Sequence, residues 1–139
     1  MYFAYGSNMD PYQMTYERCK GAESVGVGKL DGYRFVINDR GVATMAESEG
    51  SIVYGVVWSI TAEHEGILDG YEGVHDNWYY RLDVDIRLDS GETVKALIYI
   101  DPNSEPGNPR QCYMGKILRG AWHFGLPEEY FAELKTWDK

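Results

Sequence analysis

The chain is predicted to fold as an α+β protein with one strongly bent sheet or barrel and short helices beside it. Three observations in the 139-residue sequence predict this class. Alternating apolar residues indicate several strands, helical spacing of apolar residues is concentrated near the end, and no regular strand–helix–strand alternation is present. A doubly wound parallel sheet needs that alternation and is excluded. The length predicts a single domain over residues 1–139.

The first strand and the turn after it come at the start of the chain. Apolar Met1–Ala4 is followed by the small-residue segment Tyr5–Asn8 and then by Asp10 and Pro11. Asp10 suits the N-cap, and Pro11 the first turn, of a helix predicted to run to about Cys19. A small-residue turn before a helix leaves backbone N–H groups free, which suits a carboxylate or a phosphate.

Strand patterns dominate the middle of the chain. Residues around Tyr33 alternate, Gly26–Lys29 is predicted as the turn that leads into them, and Ile52–Trp58 is almost continuously apolar. The clearest alternation covers Tyr80–Leu88, so one face of that strand is expected to be buried and the other wet. A turn and the returning strand Thr93–Ile100 complete a predicted hairpin.

Three further helices are predicted. Thr61 is expected to cap a short helix that Gly70 ends. The segment Asp101–Pro109 contains three prolines and is therefore predicted to be a loop. Apolar residues then fall at helical spacing from Tyr113 onward, and again behind Pro127.

Charge and cysteine content exclude several classes of protein. With 13 basic and 22 acidic residues the net charge is −9, and no cluster of Lys and Arg is present to bind nucleic acid. No apolar run approaches the ~20 residues of a membrane span. No leader sequence is expected at the start, so a cytoplasmic protein is expected. Cys19 and Cys112 are predicted to be free thiols.

Metal, phosphate-loop and serine-nucleophile chemistry find no support in the sequence. The histidines lack metal-ligand spacing, Gly26–Lys29 does not continue into a phosphate-binding loop, and Ser7 lacks the surroundings of a nucleophile.

Glu72 is different, because it lies between aromatic and glycine residues just beyond a predicted helix end. The helix dipole and apolar burial both raise a carboxyl pKa, so Glu72 is a candidate proton carrier near neutral pH. An exposed turn glutamate of ordinary acidity is the alternative.

Taken together, these segments resemble the γ-glutamylcyclotransferase family. The match covers nearly the whole chain in the family's order and approximate spacing, and its segments are Phe3–Asn8, Gly41–Thr44, Tyr54–Trp58, Leu68–Val74, and Tyr113 with Gly125–Pro127 and Tyr130. The resemblance implies a small closed or nearly closed mixed β-barrel flanked by short helices. It also implies an enzyme that releases 5-oxoproline from γ-glutamyl compounds without a metal or other cofactor.

The resemblance also implies roles for individual residues. It implies that Glu72 is the catalytic glutamate. The residues implied to hold the substrate are Tyr5, Gly6, Ser7, Asn8, Tyr79 and Tyr113. The substrate α-amine would attack the γ-carbonyl of the same molecule and expel an amine, with Glu72 as general acid and base. The turn amides would bind either the α-carboxylate or the developing oxyanion, and the sequence leaves both open.

The identity of the leaving amine stays open in the sequence. The leading hypothesis is a cyclotransferase acting on a small γ-glutamyl amine or γ-glutamyl amino acid, as a monomer or homodimer. Tyr71 stands where the family often has a polar residue and is expected to narrow the leaving-group side. An alternative is a deprotecting cyclotransferase that removes a γ-glutamyl cap from a biosynthetic or protein-linked amine. A rival of another class is a non-catalytic module that binds an acidic metabolite, which the presence of Glu72 argues against.

Overall fold

The computed structural model of the chain describes residues 1–138, which form strands, α-helices and short helical turns of other types. The strands are β1 (Tyr2–Ala4), β2 (Glu23–Ile37), β3 (Ala43–Ser59), β4 (Tyr80–Leu88) and β5 (Thr93–Ile100). The α-helices are α1 (Ala62–Tyr71), α2 (Tyr113–His123) and α3 (Glu128–Lys135). The remaining helical segments are a 3₁₀ turn (Ser7–Met9), a π-helix (Gln13–Arg18) and a second 3₁₀ turn (Val74–Asp76).

The strands form one closed barrel in the order β1-β3-β2-β4-β5. β2 and β3 make a long antiparallel hairpin, β4 and β5 make a second one, and β2 pairs with β4 to join them. β1 closes the barrel because it pairs antiparallel with β3 and parallel with β5, where Tyr2 lies opposite Leu97. The predicted α+β class, a mixed β-barrel flanked by short helices, is therefore confirmed.

The predicted hairpin matches β4 and β5, and the helix cap predicted at Thr61 is present. The Thr61 hydroxyl accepts the His64 N–H, and the His64 ring accepts the Thr61 N–H, both at 3.2 Å. This capping box satisfies two backbone donors that the helix itself cannot. α1 ends at Tyr71 rather than at Gly70, which makes Glu72 its C-cap residue.

The prediction of a turn at Gly26–Lys29 is wrong, because these residues lie within β2. The pattern misleads because glycine usually weakens a strand. Gly28 instead allows strands to approach closely: a Cβ there would lie 2.5 Å from Ile86 of β4 and 3.1 Å from Val57 of β3. The glycine is therefore a packing residue of the barrel.

The helix predicted from Asp10 to about Cys19 is present in an irregular form. Its main part is the π-helix Gln13–Arg18, and Asp10 Oδ1 accepts the Tyr12 N–H at 3.3 Å at the entry. Arg119 of α2 also binds the Asp10 carboxylate, with Nε at 3.0 Å from Oδ1. This ion pair connects the segment after β1 to α2.

The hydrophobic core combines strand residues with the apolar faces of the helices. Side chains with 0% exposure come from all of these elements and include Phe3, Ile37, Val56, Leu68, Ile86, Ile98, Ile117 and Leu134. Burial of such a side chain contributes roughly 1.5–3 kcal/mol. In α2 the buried residues recur at helical spacing, as the sequence predicts for a helix packed on a core.

Close packing of α2 fixes the 3₁₀ turn that follows β1. Gly120 lies directly against the backbone of Met9, and any Cβ at this position would clash with it. Met9 is itself fully buried. The absence of a side chain at Gly120 thus sets the distance between α2 and the small-residue turn.

Three features of the described residues concern the cysteines, membrane-spanning helices and metal-binding groups. Cys19 and Cys112 are free thiols, the first buried and the second exposed, as predicted. Between residues 1 and 138, no helix is long and apolar enough to cross a membrane. The same residues contain no group of three or more His, Cys, Asp and Glu side chains arranged to hold a metal ion.

Candidate active site

A pocket lies between the turn after β1, the end of α1 and the start of α2. We call it the inner pocket, and it encloses ≈ 330 Å³ of empty space, part of it open to solvent. Its lining residues are Tyr2, Tyr5, Gly6, Ser7, Asn8, Ala43, Glu72, Tyr79, Tyr99 and Tyr113. The structure therefore brings together all the residues that the sequence singles out as site residues, although they come from distant parts of the chain.

A network of amide and hydroxyl groups fixes the turn after β1. Gln13, which is 3% exposed, donates from Nε2 to Ser7 Oγ at 2.8 Å and to Asn8 Oδ1 at 2.9 Å. Lys116 of α2 donates to Gln13 Oε1 at 2.7 Å, and Asn8 Nδ2 donates to Tyr2 Oη at 3.0 Å. The side chains of Ser7 and Asn8 are thus engaged in holding the turn.

The start of the 3₁₀ turn offers backbone donors to the inner pocket. The first backbone bond of the turn runs from the Met9 N–H to Gly6 O at 3.1 Å. The N–H groups of Ser7 and Asn8 precede this bond and, as at any helix start, have no acceptor within the turn. Because both residues line the pocket, their amides are suited to bind an anionic oxygen there.

Two of the predicted pocket tyrosines are fixed through the backbone of Ala43. Tyr113 Oη accepts the Ala43 N–H at 3.0 Å, and Tyr79 Oη donates to Ala43 O at 2.8 Å. Gly6 lies next to this point, where a Cβ would be 3.3 Å from Ala43 Cβ. Burial raises the pKa of both tyrosines, that of Tyr113 to about 12, so both hydroxyls are neutral near pH 7.

Tyr2, Ala43 and Tyr99 also line the pocket, and sequence reasoning missed them. The Tyr5 hydroxyl donates to Tyr99 O at 2.5 Å, and the rings of Tyr2 and Tyr99 meet edge to face at 5.8 Å between centroids. These contacts depend on the parallel pairing of β1 with β5, which no local pattern reveals. The high tyrosine count, 12 in 139 residues, is the sequence signal that could have drawn attention to Tyr2 and Tyr99.

Glu72 lies half-buried in the pocket wall at the C-cap of α1. Burial raises its pKa from 4.5 to about 7, while the positive charge of Arg18 acts in the opposite direction. Within residues 1–138 its carboxylate forms no ion pair. The upward direction of this pKa shift agrees with the expectation from the sequence, and burial is its leading cause. A carboxyl group with this pKa can both accept and return a proton near pH 7.

The last turn of α1 is tied to the barrel just before Glu72. Asp69 Oδ1 accepts the Tyr99 O–H at 2.7 Å, and Asp69 Oδ2 accepts from Arg81 Nη1 of β4 at 3.1 Å. Arg81 also pairs with Glu65, one turn earlier in the helix. These contacts hold α1 against β4 and β5 and so set the position of Glu72.

A second, wider cavity adjoins the inner pocket and shares four of its lining residues, Ser7, Glu72, Tyr79 and Tyr113. We call it the outer chamber, and it contains ≈ 1200 Å³ of empty space, including open solvent. Its other lining residues are Arg18, Arg40, Val42, Tyr71, Gly73, Trp78 and Arg110. The sequence pointed to Tyr71 on this side, but not to the arginines, which come from three separate loops and helix ends.

Comparisons with known proteins agree with this architecture. The sequence model of the AIG2-like family matches residues 52–134. γ-Glutamylcyclotransferase of Homo sapiens is 30% identical over 146 aligned residues, which cover 98% of this chain and 77% of the human protein. A solved structure named γ-glutamyl cyclotransferase superposes with a TM-score of 0.89 at 30% identity, covering 96% of this chain and 85% of that one. YkqA from Bacillus subtilis superposes with a TM-score of 0.84 at 30% identity, covering 97% of this chain and 52% of that one.

The closed mixed barrel and these matches define an enzyme of the cyclotransferase class. The chain belongs to the γ-glutamylcyclotransferase family. The resemblance inferred from the sequence motifs is therefore confirmed, while the roles assigned to Glu72 and to the substrate-binding residues stay predictions.

Proposed function

We propose that this protein releases 5-oxoproline from a γ-glutamyl compound by attack of the substrate α-amine on its own γ-carbonyl. The observation that carries the proposal is that Glu72, with a pKa of about 7, lines the same pocket as the turn Tyr5–Asn8. An ordinary exposed glutamate, with a pKa near ~4.3, would hold almost no proton for a leaving amine at neutral pH. The name of the human relative supports the same reaction.

The reaction moves two protons from the α-nitrogen to the leaving nitrogen. Glu72 as carboxylate takes the first proton from the α-ammonium group, and the freed amine forms a C–N bond to the γ-carbonyl carbon. The tetrahedral intermediate then collapses, the C–N bond to the leaving amine breaks, and Glu72 returns its proton to that nitrogen. The second proton leaves the ring nitrogen after attack and ends on the departing amine, which is an ammonium ion at neutral pH. Glu72 finishes as the carboxylate it was at the start.

The pocket supplies the other contributions to the rate. Holding the γ-glutamyl chain in a curled conformer gives an effective molarity of ~10⁵ M or more for a well-oriented attack. The Ser7 and Asn8 amides donate to the α-carboxylate or to the developing oxyanion, and one such oxyanion donor is worth roughly 10²–10³-fold in kcat. General acid and base assistance by Glu72 adds roughly 10²–10⁴-fold.

Glu72→Gln tests the proposal, because it preserves the shape of the side chain and removes its exchangeable proton. Release of 5-oxoproline from γ-glutamyl-alanine should fall roughly 10²–10⁴-fold. Glu63→Gln is the matched control, since Glu63 is an exposed residue in the first turn of α1, away from both cavities. The control should keep normal turnover.

Two outcomes would contradict the proposal. Full turnover in Glu72→Gln would remove Glu72 as the proton carrier. Tight binding of 5-oxoproline or glutamate by the unaltered protein, with no turnover of a panel of γ-glutamyl substrates, would instead support the non-catalytic binding module. Turnover confined to large γ-glutamyl-capped amines would support the deprotecting cyclotransferase.

A further inference from the structure

The outer chamber carries positive charge in a protein whose net charge is −9. Three arginines line it, Arg18, Arg40 and Arg110. Arg40 is already compensated, because it forms an ion pair with the buried carboxylate of Asp101. Within residues 1–138, Arg18 and Arg110 form no ion pair. The chamber thus has two guanidinium groups beside the inner pocket that take part in no ion pair within residues 1–138.

Arg110 is held in one orientation by the loop opposite. Its backbone N–H donates to Gly41 O at 3.1 Å, and its Nε donates to Arg40 O at 3.0 Å. Its aliphatic stem lies on Gly41, where a Cβ would be 2.7 Å from Arg110 Cγ. Gly41 also has a φ of +83°, a conformation that favours glycine.

This anchoring leaves the two terminal nitrogens of the Arg110 guanidinium free. Nε is occupied, while Nη1 and Nη2 make no hydrogen bond to any residue between 1 and 138. A guanidinium group held by its Nε presents its two terminal nitrogens as a planar fork, the geometry that binds a carboxylate.

Arg18 acts on the inner pocket instead. Its Nη1 donates to Asn8 Oδ1 at 3.0 Å, and its guanidinium lies 4.1 Å from the ring centroid of Tyr71. Its charge also lowers the pKa of Glu72, as described above. Arg18 is therefore the outer-chamber arginine that contacts the turn after β1 and acts electrostatically on Glu72.

A charge count over the bound substrate leaves Arg110 without a partner. The α-ammonium and α-carboxylate of a γ-glutamyl head cancel, as do Glu72 and Arg18, and as do Arg40 and Asp101. One positive charge remains, and it lies where the leaving amine must extend, since the outer chamber is continuous with the inner pocket at Glu72.

We propose that Arg110 binds a carboxylate of the leaving amine and so selects substrates that release an amino acid or a short peptide. A neutral amine leaves the Arg110 guanidinium unpaired, and a cationic amine meets repulsion from it. The proposal rests on the proposed function and assigns to Arg110 a specificity role outside the catalytic residues.

The experiment compares two substrates that differ in one carboxylate, γ-glutamyl-alanine and γ-glutamyl-ethylamide. The unaltered protein should prefer the alanine compound by about tenfold in kcat/KM, which corresponds to about 1.4 kcal/mol, and mostly through KM. Arg110→Gln should remove this preference by raising KM for γ-glutamyl-alanine about tenfold, and should leave the ethylamide within about twofold. Arg110→Lys should restore part of the preference.

Arg34→Gln is the matched control, because Arg34 is an exposed arginine of β2 that lines neither cavity. This variant should leave kcat/KM unchanged for both substrates. Equal kcat/KM for the two substrates, or an equal loss for both in Arg110→Gln, would refute the role of Arg110 while leaving the proposed function intact. No 5-oxoproline from any substrate would refute the proposed function itself, and this inference with it.

Discussion

The pKa of Glu72 is raised to about 7 because its carboxyl group is buried in the pocket wall, just beyond the end of α1. The preceding residue, Tyr71, is 56% exposed, whereas Glu72 lies in the pocket wall and loses the water around its carboxylate. Desolvation raises the pKa of a carboxyl group, and a neighbouring cation, here Arg18, lowers it. The proton affinity of this residue is thus a balance between burial and one arginine.

The pH dependence of turnover should report this balance. Because Glu72 must be ionised to take the ammonium proton, kcat/KM should rise with pH through an apparent pKa of about 7. Arg18→Gln removes the charge that lowers this pKa, so the rise should move to higher pH. Initial rates measured from about pH 5 to about pH 9 would show it. If kcat/KM rises at the same pH in Arg18→Gln as in the unaltered protein, the assignment is contradicted. The control variant Arg34→Gln should leave the pH of this rise unchanged.

The same residue should make folding stability depend on pH. The native state keeps the Glu72 proton up to a pKa of about 7, whereas the unfolded chain releases it near 4.5. The stability contributed by the bound proton is therefore present below about pH 4.5 and lost as the pH rises toward 7. Glu72→Gln has no charge to bury, so its Tm should exceed that of the unaltered protein by at least about 2 °C above pH 7.

Differential scanning calorimetry at several pH values measures this difference. The gap in Tm should narrow as the pH falls toward 4.5, where both states of the unaltered protein bind the proton. A gap that is the same at every pH would show that the substitution acts through packing and not through ionisation.

At the scale of elements, α1 matters because it delivers Glu72 to the pocket. Its start is readable from the sequence, since Thr61 provides a cap whose chemistry is local. Its attachment is not readable, because Asp69 is joined to Tyr99 of β5 and to Arg81 of β4, both distant in sequence. The orientation of the helix is therefore a property of the assembled barrel.

Asp69→Ala should loosen this attachment. The Tyr99 hydroxyl would lose its acceptor and Arg81 one of its two carboxylates, which should cost roughly 1–3 kcal/mol in the free energy of unfolding. kcat should also fall, because the end of α1 no longer holds Glu72 in place. Urea unfolding and steady-state kinetics measure the two effects.

Glu65→Ala is the matched control for this prediction. Glu65 also pairs with Arg81, but both side chains are 39% exposed, and such surface pairs contribute about 0–1 kcal/mol. Equal losses of stability and turnover in the two variants would contradict a positioning role for Asp69.

At the scale of the whole molecule, the closed barrel could not be derived from local pattern alone. Alternation and turn chemistry predict the β4–β5 hairpin and the two C-terminal helices because these elements depend on neighbouring residues. Closure depends on the parallel contact of β1 with β5, where Tyr2 lies opposite Leu97, and no short window contains both strands. Resemblance to a family supplied this part of the prediction.

The residues of the candidate site also divide into those that the local sequence can reveal and those that it cannot. The turn after β1 and Glu72 could be singled out from the sequence because each lies in a distinctive local segment. Tyr2 and Tyr99 could not, since they meet only when the barrel closes. The arginines of the outer chamber could not either, because a lone arginine in a loop has no pattern around it.

Ala43 has no functional group in its side chain, yet its backbone determines which of two tyrosine hydroxyls can donate and which can only accept a hydrogen bond in the cavity. The Tyr79 hydroxyl donates a hydrogen bond to the Ala43 carbonyl, so only its lone pairs can face the cavity. The Tyr113 hydroxyl accepts the Ala43 N–H and keeps its own proton for a hydrogen bond to a ligand. In the proposed function, a zwitterionic head group would meet an acceptor for its ammonium and a donor for its carboxylate in a fixed order. With Glu72 as a third point, the two enantiomers of such a ligand would not engage all three groups alike, so we expect a stereochemical preference that depends on the backbone of Ala43.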